Sequence, residues 1–161
     1  MGKKLVAYFS ASANGVTREL SKEIAKITDA DLYEIKPETL YTEADLDWKD
    51  KEARCWQERN DIAFRPPIAD KNANIADYDV IFIGFPIWWH IAPPIINTFL
   101  ESYDFSGKTI VSFATSGSDP FGESVAELKP SAPAAIFKDG ILLKSRTVNE
   151  NLAEWLDSLG L

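Results

Sequence analysis

The chain is poor in the residues that build disulfides and metal sites. Its 161 residues include one cysteine, Cys55, and one histidine, His90. A single cysteine cannot form an internal disulfide and fits a reducing compartment, so we expect a cytoplasmic protein. A histidine with no second histidine or cysteine near it in sequence gives little support to a metal site.

Basic residues are scarce relative to acidic ones. Seventeen Lys and Arg against 25 Asp and Glu give a formal net charge of −8. An acidic chain disfavours nucleic acid or an anionic membrane as the main partner, whereas it suits docking onto a basic protein surface. We therefore expect a protein partner with a basic surface, no nucleic acid and no membrane.

Motifs that would point to other α/β proteins are missing. The sequence has no G-x-x-x-x-G-K-[ST] motif, which argues against an NTPase, and no G-x-G-x-x-G after its first apolar run. Ser10 and Ala11 stand where a receiver domain would need acidic residues. A low-molecular-weight phosphatase needs a reactive cysteine in this first loop, and the cysteine of this chain is at position 55.

What the sequence does contain near its start is the pattern of a strand, a tight loop and a helix. Residues 5–9 form a short apolar run typical of a buried strand, and apolar residues recur at helical spacing from Val16 to Ile27. The loop between them is rich in small and hydroxylated residues. Free N–H groups and the positive end of the dipole at a helix start can bind a phosphate. A capped helix start without a ligand is the alternative interpretation of this loop.

The rest of the chain continues the alternation of strands and helices. Further strands are predicted at residues 31–36, 79–85, 108–114 and within 135–143, with a possible bend at Asp139-Gly140. Helices are predicted after Pro93-Pro94 and over the last residues, and a mostly solvated helix is predicted between residue 38 and Arg65-Pro66-Pro67. This order predicts one α/β domain over residues 1–161, with a parallel sheet covered on both faces.

Three unusual loops leave the carboxyl ends of the predicted strands, at residues 10–17, 86–94 and 115–122. Ligands of open parallel sheets bind at that edge, so we expect the three loops to meet at one site. The first offers a phosphate cradle, the second offers the adjacent indoles of Trp88 and Trp89, and the third offers small residues. A phosphate joined to a large planar heterocycle matches these loops.

Over nearly its whole length the chain resembles the flavodoxin-like FMN-binding family. The matching pieces are Tyr8-Phe9-Ser10, Ser12-x-Asn14-Gly15-x-Thr17, Gly84-x-Pro86-Ile87-Trp88-Trp89, and Thr115-Ser116-Gly117 with Gly122. The resemblance implies a three-layer flavodoxin-like fold whose five-stranded sheet has the order 2-1-3-4-5. It also implies FMN, with its phosphate on the first loop and its isoalloxazine between the second and third. The chain looks most like the subgroup with a Pro-Ile-Trp-Trp turn.

Fifteen residues are the predicted FMN contacts on this basis. They are Ser10, Ser12, Asn14, Gly15, Val16, Thr17, Pro86, Ile87, Trp88, Trp89, His90, Thr115, Ser116, Gly117 and Gly122. No catalytic acid or base is assigned. Related sequences often have Gly where this chain has His90, so the role of His90 stays open between an indirect hydrogen bond, a proton donor near the flavin and no role.

The main functional expectation is an FMN redox protein that carries electrons to or from a protein partner. One alternative is an FMN-dependent NAD(P)H oxidoreductase acting on quinone-like or azo substrates. Another is an FMN-binding or scaffold domain without redox turnover. The sequence leaves these three open.

Overall fold

A five-stranded parallel sheet forms the centre of the computed structural model, which describes residues 3–10, 16–47, 49–61, 63–87, 92–115, 124–143 and 149–160. The strands are β1 (Lys4–Tyr8), β2 (Asp31–Glu34), β3 (Val80–Pro86), β4 (Thr109–Thr115) and β5 (Ile136–Leu143). Their order across the sheet is β2-β1-β3-β4-β5, and every neighbouring pair is parallel. The predicted flavodoxin-like order is confirmed.

Helices cover both faces of this sheet. They are α1 (Val16–Thr28), α2 (Arg54–Arg59), α3 (Pro94–Glu101), α4 (Ser124–Leu128) and α5 (Asn149–Ser158), with 3₁₀ turns at Ala44–Leu46, Ile75–Asp77 and Lys129–Ser131. Side chains alternate between the faces along each strand, so Ile81 and Ile83 join the apolar cluster that contains α3, whereas Phe82 joins the cluster of α1 and α5. The result is the predicted three-layer arrangement.

The predicted helix after the two prolines is confirmed. Pro94 is the first residue of α3, where its missing N–H is not needed and its fixed φ suits the helix. Ile95, Ile96 and Phe99 of this helix are fully buried against the sheet. None of the helices in the described ranges combines the length and the apolar character needed to cross a membrane.

The prediction of a mostly solvated helix between residue 38 and the Pro66-Pro67 pair is wrong. Only α2, six residues long, and the 3₁₀ turn at Ala44–Leu46 are helical in residues 38–47, 49–61 and 63–67. Aspartate side chains compete with helix formation here, since Asp47 Oδ1 accepts from the N–H of Lys49 at 3.1 Å and Asp50 Oδ1 from that of Glu52 at 2.9 Å. The segment is also partly internal, because Glu58 is only 4% exposed.

The predicted bend in the last strand is confirmed as a bulge. The register passes from Val111 paired with Lys138 to Phe113 paired with Ile141, so two residues of β5 lie opposite Ser112. Helix α5 follows and buries Leu152 and Leu156. The sequence also suggests helix caps at Asp119 and Thr147, and both residues lie outside the described ranges.

Candidate cofactor-binding site

Backbone pairing brings the starts of the three loops to one edge of the sheet. Tyr8 at the end of β1 pairs with Gly84, and Pro86 at the end of β3 pairs with Thr115. The N–H of Phe9 donates to the carbonyl of Gly84 at 2.9 Å, and the N–H of Ile87 donates to the carbonyl of Thr115 at 3.0 Å. The three strands therefore end side by side, and the loops start from one rigid layer.

A hydroxyl pair ties the first loop to the third. Oγ1 of Thr17, in the first turn of α1, lies 2.8 Å from Oγ1 of Thr115, and either hydroxyl can be the donor. Thr17 is 3% exposed and Thr115 is 6% exposed. Ninety-eight positions separate the two residues along the chain, so this contact fixes the start of α1 against the end of β4.

The hydroxyl of Ser10 has an unusual environment. Its Oγ is buried and has no hydrogen-bond partner among the described residues. A buried polar group without a partner costs about 1–3 kcal/mol relative to one that is satisfied. Ser10 lies two residues after β1, at the start of the first loop, so this hydroxyl is a candidate donor to a ligand.

The basic residue next to the first loop is already paired. Arg18 Nη2 lies 3.3 Å from Glu34 Oε2, and the Tyr8 hydroxyl lies 3.5 Å from the other carboxylate oxygen. A hydrogen bond with Tyr8 and the charge of Glu34 both raise the pKa of Arg18. The Glu34 carboxylate thus compensates this cation, and the described part of the first loop presents hydroxyls at the helix start.

Close packing between the central strands supports the second and third loops. Gly84 in β3 faces the ring of Phe113 in β4, and a Cβ at position 84 would lie 2.2 Å from Cζ of that ring. Only glycine leaves room for Phe113 in this position. The sequence identifies Gly84 as part of a motif. It does not predict that the glycine is needed to make room for an aromatic ring of the neighbouring strand.

A set of side chains that the sequence did not identify packs against the residue that follows β1. The Tyr41 ring packs edge-on against Phe9, with centroids 5.6 Å apart, and the Arg54 guanidinium lies 3.8 Å above the Tyr41 ring. The Tyr41 hydroxyl donates to Glu58, and Arg54 Nε donates to the same carboxylate at 2.6 Å. Burial is the main cause that raises the pKa of Tyr41. In the sequence, Tyr41 is only an aromatic residue before a charged segment, so no local pattern predicts that it binds Arg54 and Glu58.

The structure describes six of the fifteen predicted contact residues: Ser10, Val16, Thr17, Pro86, Ile87 and Thr115. It places them at the same sheet edge, with Ile87 9% exposed. The other nine predicted contacts lie outside the described residues, and their roles stay predictions. They are Ser12, Asn14, Gly15, Trp88, Trp89, His90, Ser116, Gly117 and Gly122.

Comparison with known proteins agrees with this geometry. A family model described as flavodoxin matches residues 3–159, so the chain belongs to the flavodoxin family. A candidate flavoprotein from Bacteroides eggerthii is 45% identical over 100% of this chain and 99% of its own, with a TM-score of 0.92. A candidate flavoprotein from Bacteroides uniformis is 47% identical over 97% and 98%, with a TM-score of 0.89.

A more distant solved structure contains a ligand. It is a flavoprotein from Lactobacillus acidophilus in complex with FMN, 25% identical over 88% of this chain and 93% of its own, with a TM-score of 0.68. No match to the chain was found among curated proteins. The predicted family and fold are confirmed, whereas the Pro-Ile-Trp-Trp subgroup stays a prediction.

Proposed function

We propose that this protein is an FMN-binding redox protein that carries electrons to or from a protein partner. FMN as the predicted cofactor is supported by membership of the flavodoxin family and by the FMN complex of the Lactobacillus relative. In the structure itself, the observation that carries the proposal is the buried Ser10 hydroxyl without a partner at the start of the first loop.

The described residues fit the phosphate of FMN. A phosphate oxygen is a strong acceptor, so it satisfies the Ser10 hydroxyl and the free N–H groups at the start of α1. The dipole of α1, which is thirteen residues long, contributes positive potential at the same point. A basic side chain is therefore not needed to hold this group.

The protein's contribution is binding and orientation, whereas bound FMN supplies the electron chemistry through its isoalloxazine ring. Ser10 donates a hydrogen bond to the phosphate. The Thr115 hydroxyl forms a hydrogen bond with the Thr17 hydroxyl, and this bond fixes the first turn of α1 against the end of β4. Gly84 and Phe113 fix the spacing of β3 and β4, from which the second and third loops extend.

The acidic surface supports a basic protein as the redox partner. The formal net charge is −8, and the exposed carboxylates of the segment before α2 belong to Glu43, Asp47, Asp50 and Glu52. Opposite surface potentials speed the encounter of two proteins and orient them, and salt weakens this effect.

The first experiment is the absorbance spectrum of the purified protein, recorded before and after addition of FMN and, separately, of riboflavin. We expect a flavin spectrum and tighter binding of FMN than of riboflavin, because only FMN has the phosphate. The reduced protein should then transfer electrons to a basic haem protein faster than to an acidic one at low salt.

Two results would contradict the proposal. A protein that binds no FMN would fit the scaffold alternative. Rapid turnover with a nicotinamide donor and a quinone, with no preference between the basic and acidic haem proteins, would favour the NAD(P)H oxidoreductase.

A further inference from the structure

An ion pair connects the start of α1 to the sheet edge at which the three loops begin. Arg18 lies in the first turn of α1, and Glu34 is the last residue of β2. Arg18 Nη2 lies 3.3 Å from Glu34 Oε2, although 16 positions separate the two residues along the chain. Because Glu34 pairs in register with Tyr8, the last residue of β1, this contact lies beside the strand that leads into the first loop.

Tyr8 supports the ion pair from the sheet. Its side chain is buried, and its hydroxyl donates to Oε1 of Glu34 at 3.5 Å. A hydrogen bond with Tyr8 is also the main cause that raises the pKa of Arg18, and the charge of Glu34 adds to it. Side chains from β1, β2 and α1 therefore meet at one point.

The neighbouring residue of α1 makes a second contact with the sheet, on the other side of the helix start. Thr17 Oγ1 lies 2.8 Å from Oγ1 of Thr115, at the end of β4. Adjacent residues of an α-helix point in directions about 100° apart, and β2 and β4 lie on opposite sides of the central strands β1 and β3. The first turn of α1 is thus held from two sides, by Thr115 and by Glu34.

The position of this turn matters because the donors of the proposed phosphate site belong to different elements. The Ser10 hydroxyl follows β1, whereas the free N–H groups belong to the start of α1. One phosphate can bind both sets of donors only if the helix start is held at a fixed position relative to the end of β1. Fixing that position before the ligand arrives reduces the entropy lost on binding.

We propose that Glu34 is a positioning residue for the phosphate of FMN, an inference that rests on the proposed function. The carboxylate acts through Arg18, since an anion does not itself attract a phosphate. By holding Arg18, it fixes the first turn of α1 from the side opposite Thr115. The two side chains are 37% and 28% exposed, so the contribution of the pair is modest.

The test compares two substitutions that have opposite effects on charge. If the pair acted through charge alone, Glu34→Gln would strengthen FMN binding by removing an anion, and Arg18→Met would weaken it by removing a cation. A positioning role predicts that both weaken FMN binding, by about two- to fivefold, as expected for a partly exposed ion pair. Arg18→Lys keeps a cation that can pair with Glu34 and should retain most of the affinity.

A second ion pair on α1 provides the matched control. Glu19 Oε1 lies 3.7 Å from Lys22 Nζ, and both residues belong to the helix. Glu19→Gln makes the same charge change as Glu34→Gln in the first turn of α1 but breaks no contact between the helix and the sheet. It should leave the affinity for FMN within about twofold of the native value or raise it.

Quenching of flavin fluorescence measures the affinity of each variant for FMN and for riboflavin, which has no phosphate. We expect Glu34→Gln and Arg18→Met to bind riboflavin as the native protein does. An affinity for FMN that is unchanged or higher in Glu34→Gln would overturn the inference and leave the proposed function intact. Equal losses for FMN and riboflavin would also overturn it, because a general disturbance of the fold affects both ligands. A native protein that binds no FMN would contradict the proposed function and this inference together.

Discussion

At the scale of single residues, the buried hydroxyl of Ser10 gives a substitution whose effect reverses with the cofactor. Ser10→Ala removes a polar group that has no partner among the described residues. The FMN-free protein should therefore be equally stable or up to about 1 kcal/mol more stable in urea denaturation. In contrast, FMN binding should weaken by about 1.5–3 kcal/mol, measured by quenching of flavin fluorescence.

Ser112 provides a control for this substitution. Its hydroxyl is also buried without a partner among the described residues, but it lies within β4 opposite the bulge. Ser112→Ala should leave the affinity for FMN unchanged. Equal losses of FMN affinity in the two variants, or a less stable FMN-free Ser10→Ala protein, would show that Ser10 does not face the phosphate.

A second prediction concerns the hydroxyl pair of Thr17 and Thr115. Thr115→Val keeps the shape of the side chain but removes the bond at 2.8 Å. If Thr115 acts by orienting Thr17 toward the phosphate, this variant should bind FMN about tenfold more weakly and riboflavin as well as before. Thr115→Ser keeps a hydroxyl and should retain most of the affinity.

Riboflavin titration separates this role from direct contact with the ring. If Thr115→Val weakens riboflavin and FMN equally, Thr115 contacts the isoalloxazine, as the resemblance to FMN-binding flavodoxins implies. Unchanged affinity for both ligands would contradict both roles.

These residues show how far the sequence predicts the site. Ser10, Thr17 and Thr115 were identified because each follows a predicted strand or begins a predicted helix, which local patterns can indicate. The bond between Thr17 and Thr115 was not foreseen, because the two residues are 98 positions apart and their distance depends on the packed sheet.

At the scale of elements, the packing of β3 against β4 depends on a glycine, Gly84, which has no side chain. Gly84→Ala places a Cβ against Phe113, whose ring is fully buried. We expect a loss of about 1–3 kcal/mol in the free energy of unfolding, as is usual for overpacking.

The partner substitution Phe113→Leu tests the cause of that loss. Alone, it should destabilise the protein by leaving a cavity. Combined with Gly84→Ala, it should cost less than the sum of the two single substitutions, because the smaller side chain leaves room for the new Cβ. Strict additivity in urea denaturation would show that the methyl group and the ring do not meet.

A pH-dependent hydrogen bond connects the edge strand β2 to the segment between α2 and β3. The Tyr33 hydroxyl donates to Asp70, and this bond is the main cause that lowers the pKa of Asp70. A lowered pKa in the folded state gives stability above about pH 3.9, the usual value for Asp, that is lost as the pH falls.

Tyr33→Phe should therefore reduce stability more at pH 6 than at pH 3. The measurement is the free energy of unfolding of both proteins in urea across that range. A difference between them that does not change with pH would rule out the contribution of this bond to the pKa of Asp70.

Helices and strands were predicted correctly from the sequence where burial determines the pattern of apolar residues. The central strands are apolar runs because both of their faces are covered, and the bulge in β5 coincides with Asp139-Gly140. Prediction failed between residue 38 and Pro66, where mixed charges resemble a helix surface. The buried Glu58 shows the reason: its carboxylate binds Tyr41 and Arg54, and such partners cannot be inferred from local spacing.

At the scale of the whole molecule, the charge of the chain and the charge of its candidate site have different origins. The formal net charge is −8, yet the proposed phosphate cradle of the first loop requires only dipoles and hydroxyls. Local geometry can thus bind anions while the overall field repels them. The overall field should act mainly on the energy of added electrons and on the choice of protein partner.

The last prediction follows from this overall field. Electrons added to bound FMN increase negative charge inside an acidic protein, so the midpoint potential of the bound flavin should lie below that of free FMN. Added salt screens the surface carboxylates, with a Debye length of about 10 Å at 0.1 M, and should raise the potential toward the free value. Spectroelectrochemistry at ionic strengths from about 0.01 to 1 M measures both effects. A potential above that of free FMN, or one that does not change with salt, would show that contacts within the site outweigh the charge of the molecule.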